Sequence, residues 1–196
     1  MEYLDEEVLK FRNHLKRDTY NSIEGGVYIG DEIVPFKEVM LFDEKVKIML
    51  PDTFVDMPSA IVKLKYPSEQ RPQIIKTSLD TAVNFTFSLF NQELEESQVG
   101  RGIEQCREII RKVNPAFLYY DLVVEEEKNI GWFDFKSYGL DEPIYNVMYI
   151  TPIEGKMMHG IFNCRYRDIM DWKPVVHQVL MSIEDCSQNK RRKWYA

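Results

Sequence analysis

Leu4, Val8, Phe11 and Leu15 recur at intervals of four and three residues, the spacing of one helix face. They predict an amphipathic helix from residue 1 to about residue 19. Glu2, Asp5, Glu6 and Glu7 crowd its first turns and Lys10, Lys16 and Arg17 its far end, as the helix dipole favours. Asn21-Ser22-Ile23-Glu24-Gly25-Gly26 interrupts the pattern, so residues 1–26 read as a helical arm with a glycine hinge. Residues 27–186 read as the body and 187–196 as a basic tail. In the body, Val34–Phe42 and Val46–Leu50 flank the polar turn Asp43-Glu44-Lys45, which predicts a hairpin. A short helix opens near Pro58 and runs through Lys65, with proline tolerated in a first turn. Two strands follow, Gln73–Thr77 and Val83–Phe90.

Val99, Ile103, Cys106, Ile110 and Val113 then mark a helix from about Ser97 to Val113, which Asn114-Pro115 stops. Four strand patterns come next: Ala116–Glu125, Ile130–Tyr138, Pro143–Ile153 and Lys156–Tyr166. Glu154-Gly155 between two apolar runs signals a tight turn. Trp172, Val176, Val179, Leu180 and Ile183 predict a closing helix over Asp171–Asp185. Strands joined by short turns pair antiparallel, so the chain reads as α+β, an antiparallel sheet flanked by helices. Val147 and Tyr149 point to one side of their strand, and Met148 and Ile150 to the other. A strand apolar on both sides needs cover on both. The expected layering places the two long helices on one face and the early helix or arm on the other.

Leu50-Pro51-Asp52-Thr53-Phe54 after a hairpin, Lys65-Tyr66-Pro67, and a meander before a helix ending Leu180-Met181-Ser182-Ile183 resemble the PsbP/Mog-type α/β/α sandwich, in its bacterial members. The resemblance spans about residues 34–186. It implies a partner-binding module, and it brings no shared catalytic motif to map onto these residues. Fold analogy alone does not assign function.

Composition narrows the remaining choices. The 196 residues are 44% hydrophobic and 13% aromatic, enough to build a core. Thirty-two acids against 25 bases give a formal charge of -7, which disfavours general nucleic-acid binding. The run Lys190-Arg191-Arg192-Lys193 reads as a solubilising terminus. No apolar run reaches the roughly 20 residues that cross a bilayer. The first residues lack the basic and apolar segments of a signal peptide, and three cysteines make no disulfide framework. A cytoplasmic location without membrane contact is expected. Asn84-Phe85-Thr86 matches a glycosylation sequon that would stay unmodified there.

Candidate chemistry is sparse. His14, His159 and His177 lie on separate elements and in no metal-ligand spacing. His159 and Cys164 are five residues apart on one strand, hence on opposite faces. Cys164 and Cys106 read as small core residues. Gly100 and Gly102 complete no phosphate loop and read as positions for close packing. No catalytic residue, metal site or cofactor is assigned. Trp132, Asp134 and Lys136 share one pleat face, which suggests an Asp134–Lys136 pair beside an indole. Asn146, Asn163 and Arg165 lie among aromatics on the next two strands. Arginine and aromatic side chains dominate interface energetics, so Trp132, Asp134, Asn146, Asn163 and Arg165 are the candidate partner surface. The sequence-level function is a non-catalytic module of the bacterial cytoplasm that binds another protein. The alternatives are a small-ligand-binding protein or weak hydrolase on the same sheet, or an immunity or chaperone factor for a secreted protein. The N-terminal stripe, lacking an evident internal partner, admits a homodimer.

Overall fold

The computed structural model describes residues 15–139 and 141–187. Residues 15–19 are helical; the rest of the expected N-terminal helix and the basic tail lie outside the described residues. Strands β1 (Asn21–Ser22), β2 (Gly26–Ile29) and β3 (Glu32–Val34) form a small antiparallel sheet. Ile23 and Val27, on either side of the expected boundary, both enter the main core. The predicted hairpin is β4 (Phe36–Leu41) with β5 (Val46–Pro51). After β6 (Val55–Asp56), helix α1 occupies Ser59–Lys65 with Pro58 as its N-cap. Strands β7 (Ile74–Thr77) and β8 (Asn84–Glu93) lead into α2 (Val99–Val113).

The meander follows as β9 (Leu118–Glu125), β10 (Ile130–Tyr138), β11 (Pro143–Ile153) and β12 (Lys156–Arg165), then α3 (Ile169–Met181) and β13 (Glu184–Asp185). Seven strands make the central sheet in the order β6-β7-β8-β12-β11-β10-β9, all neighbours antiparallel. The β11–β12 turn is the tight one predicted. Glu154 and Gly155 both take left-handed φ values, 53° and 73°, which match the twist of a two-residue hairpin. Gly155 adopts this conformation without the Cβ penalty.

Each sheet face has its own core. On one, Phe85, Tyr145, Val147, Tyr149 and Phe162 pack against Trp172, Val175, Val176, Val179 and Leu180 of α3 and against Val46, Ile48 and Leu50 of the hairpin. On the other, Phe133, Phe135, Met148 and Ile150 meet Leu94, Val99 and Ile103. The two long helices therefore sit on opposite faces, contrary to the expected layering. The alternation in β11 requires cover on both sides; α2 supplies it on one face, and α3 with the β4–β5 hairpin on the other. Helix α2 fully buries only Val99 and Ile103, with Cys106 and Ile110 partly buried against the same core; Val113 at its end is 72% exposed. It comes so close to the sheet that a Cβ at residue 102 would stand 2.8 Å from Ile150 Cδ1. The closing helix stops at Met181 instead of reaching Asp185. There the Ser182 hydroxyl accepts the Met49 amide (2.9 Å), and Glu184–Asp185 pair with Lys47 and Val46 as an edge strand. Among the described residues no helix is long and apolar enough to cross a membrane.

Candidate functional site

Register assembles the site. Asn146 of β11 stands directly opposite Asn163 of β12, Asn163 opposite Asn84 of β8, and Asn84 opposite Thr77 of β7. These positions alternate with the aromatic residues packed under α3, so the row lies on the α2 face. The Thr77 hydroxyl donates to Asn84 Oδ1 (2.7 Å), and Asn84 Nδ2 donates to Asn163 Oδ1 (2.8 Å). Burial raises the phenol of Tyr66, just past α1, above its ordinary value, and Asn163 opposes the shift. Asn146 turns the other way, donating to Ser137 Oγ (2.9 Å) and to the Ile144 carbonyl (3.2 Å). Such buried amides are tolerated because they are paired.

An open cavity of about 350 Å³ lies at this end of the sheet, lined by Lys65, Asp80, Asn84, Glu142, Asn163 and Arg165 among others. Arg165 Nε is 3.1 Å from Glu142, and its Nη2 is 3.9 Å from Asp80. The Lys65 ammonium donates to the Thr81 carbonyl. Burial pulls Lys65 below the ordinary lysine value, with Asp80 opposing and Arg165 reinforcing the shift. The Ser78 hydroxyl, 2.6 Å away, is the main cause that holds Asp80 below the usual carboxylate range. Amide donors and acceptors thus form the floor, with charges of both signs on the rim. That combination suits hydrogen bonding to another polypeptide.

Trp132 and Asp134 lie on the opposite face, so the five candidate residues do not share one surface. Trp132 is buried beneath α3, its ring centroid 5.1 Å from that of His177. Asp134 is only 3% exposed. It accepts hydrogen bonds from the Asp121 amide, the Tyr145 hydroxyl and Lys173 Nζ, each at 2.9 Å. The expected Asp134–Lys136 pair does not form. A bulge sets two residues of β9, Tyr120 and Asp121, against Asp134, between the pairs Phe133↔Leu122 and Phe135↔Tyr119. It presents the Asp121 amide to Asp134, while α3 brings in Lys173. Lys136 lies instead over the Tyr166 ring, 4.1 Å from its centroid. The Tyr120 and Tyr166 hydroxyls are 3.1 Å apart; burial first, then this hydrogen bond, push Tyr120 up to about 12.

His159 and Cys164 fall on opposite faces as their spacing requires. His159 has its ring 5.9 Å from Phe90, and its buried Nε2 has no hydrogen-bond partner. Burial drops it to about 4. Cys164 is in the core beneath α3. No group of three or more His, Cys, Asp or Glu side chains among the described residues could hold a metal ion. Lys65, Asp80, Asn84 and Glu142 were not legible as site residues, because only cross-strand register and loop closure bring them to Asn163 and Arg165.

This architecture, a seven-stranded antiparallel sheet with a helix on each face, is the α/β/α sandwich of the PsbP/Mog class. The chain superposes on cyanobacterial PsbP (CyanoP) from Synechocystis sp. PCC 6803 with a TM-score of 0.54 at 12% identity, over 82% of this chain and 98% of that one. It superposes on the Ran-binding protein Mog1p of Saccharomyces cerevisiae with a TM-score of 0.55 at 9% identity, over 80% of this chain and 98% of Mog1p. At these identities the likeness is one of fold. No protein-family model matches the sequence, and neither does any curated protein.

Proposed function

We propose that this chain is a non-catalytic protein-binding module, and that Asn163 and Arg165, with Lys65, Asp80 and Glu142 around them, meet the partner. The observation that carries this reading is the open cavity at the sheet end, where buried Asn84 and half-buried Asn163 are aligned by register beneath a mixed-charge rim. Asn146 stands beside Asn163 in the same row but turns its amide to Ser137 and the Ile144 carbonyl and does not line the cavity. Trp132 and Asp134 support the site from the other face by holding α3 on the sheet. Mog1p, described as Ran-binding, has this fold, which is consistent with a binding role without naming a partner here. Free Cys106, Cys164 and Cys186 suit a reducing compartment such as the cytoplasm.

A photo-crosslinking residue placed at Lys65, beside the cavity, tests the proposal against one placed at the exposed Lys112 on α2. In native lysate the first should yield one discrete protein adduct that the second does not. Equal labelling from both positions, or none from either, overturns the proposal.

A further inference from the structure

We draw no further inference here: the strongest candidate, the open cleft of about 630 Å³ lined by Glu95, Glu96, Glu127, Glu154 and Asp185 beside the β11–β12 turn, is an acidic cluster whose Glu154 and Asp185 are already engaged by Lys45 and by the Glu154 and Ser187 amides, and nothing in the structure shows what covers it.

Discussion

Tyr149 of β11 reaches across Gly160 of β12, its register partner, and donates its hydroxyl proton to the Thr86 carbonyl of β8 at 3.0 Å. A Cβ at residue 160 would collide with both the hydroxyl and that carbonyl. Thr86 Oγ1 in turn accepts the Ile161 amide (2.9 Å) and donates to the Ile161 carbonyl (3.0 Å). One glycine thus lets a fully buried phenol tie three strands together with its hydroxyl satisfied.

Gly160→Ala should therefore be among the costly single substitutions. Displacing the Tyr149 ring leaves the Thr86 carbonyl unpaired and overpacks the core, for a loss of about 3 kcal/mol. Tyr149→Phe removes the hydroxyl and should cost about 1–3 kcal/mol. With the hydroxyl gone, the alanine collides with less, so the double variant should be less destabilised than the sum of the singles. Urea midpoints of the four proteins test this. Additive effects, or a neutral Gly160→Ala, would mean that the phenol does not occupy this position.

Asp134 anchors α3 and the β9 bulge at once. Asp134→Ala leaves the Asp121 amide and the Tyr145 hydroxyl without their acceptor, while the half-exposed Lys173 keeps Asp121 at 3.0 Å, and should cost about 2–4 kcal/mol, chiefly from the unsatisfied groups. Lys173→Met should cost less, because Asp134 keeps two of its three donors. Denaturant titration settles the order. If the lysine variant proves the weaker protein, the ion pair and not the carboxylate hub is what holds the helix.

Alkaline pH should weaken the fold. Burial, aided by Asp134, raises Tyr145, and burial raises Tyr149. The hydrogen bonds and charges of Asp134 and Asp121 raise Lys173 against its own burial, the largest single influence. A group raised on folding lends stability that is complete below its unfolded pKa and fades as pH climbs towards its folded one. The loss should thus begin near pH 10, the ordinary tyrosine value, and continue upward. Tyr145→Phe should flatten the curve of urea midpoint against pH; an unchanged slope would remove the phenol from the account.

His159 produces the opposite dependence. Its folded pKa, about 4, lies below the ordinary 6.5, so its contribution is complete above 6.5 and is lost as pH falls through 4. His159→Phe should abolish that acid-side decline. Because the Nε2 atom is unpartnered, the substitution should also leave stability at pH 7 equal or higher. A decline that survives the substitution would have to arise from carboxylates instead.

At the sheet end, stability and binding should separate. Arg165 is partly exposed and its ion pairs face solvent, where such pairs contribute about 0–1 kcal/mol. Arg165→Gln, which removes the charge without setting a third carboxylate beside Glu142 and Asp80, should therefore shift the urea midpoint little while eliminating the crosslinked adduct formed from residue 65. A variant that unfolds, or one that still forms the adduct, would contradict the role given to this guanidinium.

Much of this molecule was legible in the linear sequence. The β4–β5 hairpin, β7 and β8, the meander and the two long helices follow from periodicity, Asn114-Pro115 ends α2, and Glu154-Gly155 makes the tight turn, because these choices rest on neighbours a few residues apart; β1–β3, β6 and β13 are too short to leave such a pattern. The alternation Val147, Met148, Tyr149, Ile150 also determined that the sheet would be covered on both sides. Only the tertiary structure decided which helix covers which face, since either amphipathic stripe would satisfy either apolar side. It alone joined Asn84 to Asn163 across 79 positions, gave Asp134 to Lys173 instead of Lys136, and seated the Tyr149 ring over Gly160. Those outcomes depend on strand register and on a bulge, which are selected by the packing of the whole sheet and leave no periodic trace in any one segment.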